Sequence, residues 1–326
     1  MQDLIAIGDI VTDAFIKLIQ AEEMMNHGER EICLPFATKV PYESVEEVPA
    51  VGNSANAAVA AARLGLKSAL ITHMGDDMYG KLCLERLQKE HVSTEFVSVH
   101  PGQQSNYHYV LWYGSERTIL VKHEEYERHF PAAPAPIWLY LSSLGADTKE
   151  YHHEIIQYIK GNPSVKLAFQ PGTFQISLGK KELEDIYARS EIFFCNVEEA
   201  GQILGIQTLG IAELLKRMRE VGPRIVVITD GPKGAYAYDG ITMYQQAPYP
   251  DAKPPYDRTG AGDAFASTCV AALALGLDLP TALQWGAVNS MSVVQEVGAQ
   301  KGLLSQAQIG EYLKTAPPEF ATKTLS

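Results

Sequence analysis

Apolar residues in this chain gather into short unbroken runs, separated by longer stretches with apolar positions at helical spacing. The runs Leu4–Ile7, Ser68–Thr72, Trp138–Leu141, Lys166–Phe169, Ile192–Cys195 and Ile225–Thr229 are too short for helices. They do not alternate with polar residues, which predicts strands covered on both faces. Between them the spacing predicts helices near 149–160, 197–204 and 211–221. The Ala-rich run Asn56–Leu64 is a strong helix former with Gly65 placed to end it. Asp77–Glu90 reads as an amphipathic helix. Beyond Ala261 the chain is mostly helical, over Ala264–Leu275, Thr281–Gln295 and Gln306–Thr315. Such alternation implies an α/β fold with a doubly wound, mostly parallel sheet flanked by helices.

Two polar stretches, about 14–49 and 101–125, break that rhythm. The first carries alternating segments such as Glu31-Ile32-Cys33-Leu34 and Thr38-Lys39-Val40. The second reads as a hairpin, Tyr107–Trp112 and Thr118–Lys122, around Gly114-Ser115. Packed together they would make a small β-sheet lid on a single domain spanning 1–326. Ligands of doubly wound folds bind beyond the carboxyl ends of the strands, where such a lid could close.

Composition narrows the function classes. The chain has 326 residues, 46% hydrophobic and 20% charged, with a net charge of −12. It carries no global basic field, so no nucleic acid or anionic membrane is expected as a partner. No window reaches the roughly 18–20 apolar residues of a membrane span. The opening MQDLIAIGDI reads as a first strand with no signal-peptide character, and a cytoplasmic protein is expected. The four cysteines, Cys33, Cys83, Cys195 and Cys269, are far apart and show no zinc-site spacing.

Local chemistry concentrates in Asp257-Arg258-Thr259-Gly260-Ala261-Gly262-Asp263, directly before the helix Ala264–Leu275. Gly260 and Gly262 permit a tight turn that brings several N–H groups to one helix start. With the positive helix end behind them, these donors suit a phosphoryl group. Asp263 would sit beside it, able to accept the proton of an attacking hydroxyl. The helix end should depress the Asp263 pKa, which a loose phosphoryl-transfer transition state tolerates. An N-capping aspartate after a Gly-rich turn would give the same local pattern.

Over nearly its full length the chain resembles the ribokinase-like (PfkB) carbohydrate kinases. The segment 257–263 matches that family's D-T-x-G-A-G-D signature except at Arg258. Val51-Gly52-Asn53-Ser54-Ala55-Asn56-Ala57-Ala58 matches G-G-x-x-A-N-x-A except at Val51, and Gly75–Gly80 matches G-x-D-x-x-G. Gly8–Asp13, Asn196–Glu199 (N-x-x-E) and Thr229–Gly234 (T-x-G-x-x-G) follow in the family's order.

The resemblance implies an ATP-dependent kinase acting on a hydroxymethyl group of a sugar, with MgATP as cosubstrate. Asp263 would be the base and the amides of Gly260, Ala261, Gly262 and Asp263 the anion hole. Asp13, Gly52, Asn53 and Asn56 would hold the substrate, although Asn56 could equally cap its helix. Asn196 and Glu199 would arrange Mg²⁺ through water. Thr229, Gly231 and Gly234 would line the nucleotide site, with Asn289 beside adenine unless it is simply a buried helix polar. Asp257, with carbonyls near Val297-Gly298-Ala299, would support a monovalent cation such as K⁺. Arg117 and Arg258 are open between contacts to a phosphate or an acidic sugar and surface positions. Tyr107, Tyr109, Trp112 and Tyr113 are open between substrate stacking and the lid's own packing. A nucleoside kinase and a binding protein without catalysis are the alternatives. The lid's apolar stripes point to a homodimer, with a monomer also open.

Overall fold

A computed structural model describes residues 1–114, 116–206, 209–251 and 253–325, with only the backbone of Glu29. Its main sheet has ten strands. Seven are parallel, in the spatial order Val97–His100, Ser68–Gly75, Leu4–Ile7, Trp138–Leu141, Lys166–Phe169, Ser190–Asn196, Ile225–Thr229. Ala235–Tyr238, Met243–Gln246 and Lys323–Leu325 then continue the sheet antiparallel.

Period-two geometry divides each strand between two cores. Leu4 and Ala6 pack on one face with the helices Asn53–Arg63, Ala261–Ala274 and Leu279–Val293. Ile5 and Ile7 pack on the other with Lys149–Gly161 and Ile211–Glu220. The uninterrupted apolar runs are thus strands covered on both sides. Of the predicted helices, the one read from Asn56 starts earlier, at Asn53, with Gly52 at its N-cap. Asp77 caps the helix Met78–Lys89, its side chain accepting from the Gly80 N–H.

The two polar stretches do form one four-stranded sheet. Its order is Tyr42–Val51, Val11–Leu18, Tyr107–Tyr113, Glu116–Leu120, with Val11–Leu18 and Tyr107–Tyr113 parallel and the outer pairs antiparallel. The final strand runs from Glu116 to Leu120, two residues earlier than its alternation suggested, and Ser115 of the predicted turn lies outside the described residues. A separate hairpin pairs Glu22–Asn26 with Glu29–Cys33. The inner face of the small sheet carries Asp13, Phe15, His108, Val110, Trp112 and Arg117, whereas Val45, Tyr109 and Leu120 share its outer face.

Candidate active site

The parallel strands end along one edge, and polar residues follow each apolar run there: Asp9, Ser142, Gln170, Asn196 and Thr229. Asn196 and Thr229 are register partners on neighbouring strands. Two helix starts, at Asn53 and Ala261, meet this edge through a direct contact between Asn56 and Asp263.

Asp263 is the third residue of the helix Ala261–Ala274 and is half-buried. Gly260 precedes the helix in the left-handed region (φ 77°), and a Cβ there would lie 2.2 Å from the Cβ of Ala299. Only glycine meets both demands. Among the described residues the Gly262 and Asp263 N–H groups take no backbone acceptor, leaving the first-turn donors exposed at the helix end.

Two amides hold the Asp263 carboxylate. Asn56 Nδ2 donates to Oδ2 at 2.8 Å and Gln170 Nε2 donates to Oδ1 at 3.1 Å. Each amide is itself oriented. Gln300 Nε2 donates to Asn56 Oδ1 at 3.0 Å, and the Tyr140 hydroxyl donates to Gln170 Oε1. Burial keeps Tyr140 protonated by raising its pKa well above 10. Burial likewise raises the Asp263 carboxyl above the ordinary aspartate value, aided by the nearby Asp13 charge and opposed by the Asn56 and Gln170 donors. The depression expected from the helix end is therefore opposed by desolvation.

On the side of the small sheet, Asp13 is buried with Oδ1 3.4 Å from His108 Nδ1. Asp9 accepts from the Gly145 N–H at 2.7 Å and pairs with Arg128 at 2.7 Å and His123 at 3.2 Å. Burial pushes the Asp9 carboxyl up, but hydrogen bonding to His123 and the Arg128 charge outweigh it and hold it low. Gly52 has φ 104°, and a Cβ there would stand 2.7 Å from the Asp9 carbonyl oxygen. Asn53 is half-buried at the helix start. Asn56 sits a turn further in and does not cap the helix; one Nδ2 hydrogen goes to Asp263 and its Oδ1 accepts from Gln300. Val51 is buried at the end of its strand, register partner of Val11.

On the opposite side, Asn196 and Glu199 form a reciprocal capping box. Asn196 Oδ1 accepts from the Glu199 N–H, and Glu199 Oε2 accepts from the Asn196 N–H, both at 2.8 Å. Burial raises the Glu199 carboxyl; the Asn196 N–H opposes this, and the charges of Asp263 and Glu198 add to it. Thr229 ends its strand, and Gly231 and Gly234 bracket a short 3₁₀ turn. At Gly234 (φ 92°) a Cβ would lie 2.1 Å from the Gln246 carbonyl oxygen.

Two expectations are corrected. Asn289 is fully buried, donating to Thr268 Oγ1 at 2.7 Å and accepting from the Leu304 N–H at 2.9 Å. Its amide ties elements together and is not available to an adenine. Asp257 is also fully buried, and donors surround it. It accepts from the N–H of Thr259 at 2.6 Å and of Gly298 at 2.8 Å, and it pairs with the Arg117 guanidinium. The Arg117 guanidinium thus stands against the carboxylate that a monovalent cation was expected to pair with. The tyrosines of the small sheet serve its own packing: Tyr107 and Tyr79 both donate to Glu47 Oε1, and Tyr107 rests edge-on against Tyr109. Trp112 packs edge-on against Tyr256.

Sequence reading missed Gln170, Gln300, Tyr140 and Arg128. The one signal available was a polar residue directly after a buried strand, as at Gln170.

No helix among the described residues is long and apolar enough to cross a membrane. The model of the pfkB family of carbohydrate kinases matches residues 22–306. A nucleoside kinase of Methanothermobacter thermautotrophicus is 24% identical over 257 residues, covering 77% of this chain and 80% of its own. Among solved structures, Arabidopsis thaliana ribokinase complexed with ribose and ATP superposes with a TM-score of 0.78 at 18% identity, covering 96% of this chain and 99% of its own. An E. coli protein assigned as ribokinase II, in complex with ATP and Mg²⁺, gives 0.75 at 18% identity, with 97% and 100% covered. These likenesses establish a ribokinase-like fold, and with the family match they identify the chain as a member of the pfkB carbohydrate kinases, a phosphotransferase with an alcohol acceptor.

Proposed function

We propose that this kinase transfers the γ-phosphoryl group of ATP to a hydroxymethyl group of a sugar, with Asp263 as general base. The observation that carries this reading is the Asp263 carboxylate itself, gripped by Asn56 and Gln170 at the open start of a helix. In the step, the acceptor oxygen bonds to γ-phosphorus while the bond from γ-phosphorus to the bridging oxygen breaks. That oxygen leaves with ADP, and the hydroxyl proton passes to Asp263. The raised pKa makes Asp263 a stronger base than an ordinary aspartate.

The Gly260–Asp263 backbone amides would cradle the transferring group, supported by the absence of backbone acceptors for two of them among the described residues. Asp13, Gly52, Asn53 and Asn56 would hold the substrate, and Thr229, Gly231 and Gly234 the nucleotide. Mg²⁺, when bound, would supply charge neutralisation at the phosphates. Glu199, with Oε1 outside its capping bond, and Asn196 would hold the ion through water. The small sheet, built on the single domain, would act as the lid that excludes water and limits ATP hydrolysis.

A nucleoside acceptor is the second reading. His108, His123 and Phe174 form an edge-on aromatic cluster beside Asp9 and Asp13, a surface able to take a base. A coupled ADP-release screen over pentoses, hexoses, keto-sugar acids and nucleosides separates the two. Asp263→Asn should lower turnover on the accepted substrate by about 10²–10⁴-fold while calorimetry finds ATP binding retained. Near-normal turnover in that variant removes Asp263 from the chemistry.

A further inference from the structure

The inner face of the small sheet grips the loop that leads to Asp263. Trp112 lies edge-on to Tyr256 with ring centroids 5.1 Å apart. Arg117 pairs with Asp257, and Glu116 Oε1 stands 3.9 Å from Arg258 Nη1. Three consecutive residues of the loop, 256–258, are therefore each met by a side chain from one hairpin. The two ion pairs differ in character. Glu116 and Arg258 are 57% and 51% exposed, so their pairing is weak and screened. Arg117 and Asp257 are 8% and 0% exposed. A buried carboxylate needs a cation or several donors, and here it has both: Arg117 on one side and the N–H groups of Thr259 and Gly298 on the other.

The guanidinium leaves a metal ion poorly served. A monovalent cation at Asp257 would have to share the carboxylate with Arg117, a like charge already in contact with it. Arg117 remains charged at neutral pH, because burial and the Arg258 charge lower its pKa only to about 10, with Glu116 opposing them.

We propose that Arg117 is the built-in cation of the Asp257 site, so that this kinase needs no monovalent metal ion and instead couples its phosphate loop to the position of the small sheet. Arg117 is a positioning residue. It neutralises Asp257, whose two oxygens fix Thr259 and Gly298 and so the loop on either side of Gly260. The covalent link is Asp257 to Gly260 within one turn, and Gly260 rests against Ala299, the neighbour of Gly298. When the sheet moves away, the loop loses its cation. The charge is delivered by the same element that would close over the substrate.

The test uses the full chain in buffers of potassium chloride or choline chloride at equal ionic strength. Two readouts are taken: the melting temperature of the ligand-free protein and turnover with ATP and the accepted substrate. The kinetic readout rests on the active-site reading of residues 257–263, whereas the melting readout does not, so the two can fail separately. The native protein should melt at the same temperature and turn over equally in both salts. Arg117→Ala should lose about 10²-fold in turnover in choline, the scale of a misplaced reacting group. In potassium it should regain both melting temperature and part of its turnover, because the emptied carboxylate site now binds the ion. If Arg117→Ala does not fold, Arg117→Lys, which keeps a cation, should remain indifferent to potassium. A native protein stabilised or activated by potassium overturns the proposal, as does an Arg117→Ala variant that is unimpaired or indifferent to potassium, or an Arg117→Lys variant that requires the ion.

Discussion

At the scale of single residues, the site turns on which groups hold the Asp263 carboxylate in its ionised form. Gln170 donates to one oxygen and so favours the charged state, against the desolvation that raises the pKa. A base works only when unprotonated, so activity falls as pH drops through the Asp263 pKa. Gln170→Leu removes a stabilising donor, so the pKa rises further and the acid limb of the kcat profile should shift to higher pH. A residue with a merely structural role would lower the melting temperature without moving that limb. The legibility of these residues follows their sequence context. Asp263 is visible because it stands beside glycines that a tight turn demands, and Asn56 through the motif around it that resembles the family's. Gln170 and Gln300 have no local signature; they matter through partners 93 and 244 residues away. Arg117 was noticed only as an open alternative, since its partner Asp257 lies 140 residues on. Removing that partner from a buried pair typically costs about 3–5 kcal/mol, so Arg117→Ala should also melt well below the native protein in choline.

Elements were more legible than side chains. The unbroken apolar runs became strands because burial on both faces leaves no alternation to misread, and Trp138–Leu141, Lys166–Phe169 and Ile225–Thr229 have the expected bounds. The antiparallel additions were missed for the opposite reason. Ala235–Tyr238 and Met243–Gln246 are four-residue strands of mixed burial, and their pairing is decided by the sheet edge already present. The turn into the helix Ala261–Ala274 carries a sharper demand. Gly260→Ala would place a methyl group 2.2 Å from the Ala299 Cβ on a backbone with positive φ. The loop must shift, at a cost of about 1–3 kcal/mol for strain of this kind. The expected outcome is a lower melting temperature by calorimetry, together with a loss of turnover larger than the stability change explains, since the displaced loop carries the first-turn N–H groups. Native turnover in this variant would show that the turn is only a connector.

For the whole molecule, the small sheet poses the remaining physical question, because its two faces serve different purposes. The inner face meets the loops around Gly298 and Tyr256, with Phe15 and Val48 near Gly298 and Trp112 on Tyr256. The outer face leaves Tyr42, Val45, Tyr109 and Leu120 at 56%, 46%, 49% and 51% exposure. Tyr109 and Leu120 are direct register partners, and Val45 lies two residues from Glu47 on the same face. Contiguous apolar patches on one sheet face usually mark an interaction surface. The homodimer expected from the apolar stripes of the small sheet would bury this face against a second copy of the chain. At about 25 cal/mol per Å² of apolar area removed from water, four such side chains contributed twice give the association a substantial drive. Sedimentation velocity over a range of protein concentrations should find a dimer, and Tyr109→Lys combined with Leu120→Glu should convert it to a monomer while leaving the fold intact by circular dichroism. A native protein that sediments as a monomer at every concentration would refute the dimer. Where the double variant is monomeric, its substrate KM should rise more than its kcat falls, because a sheet held by a partner closes over the site with less ordering left to lose.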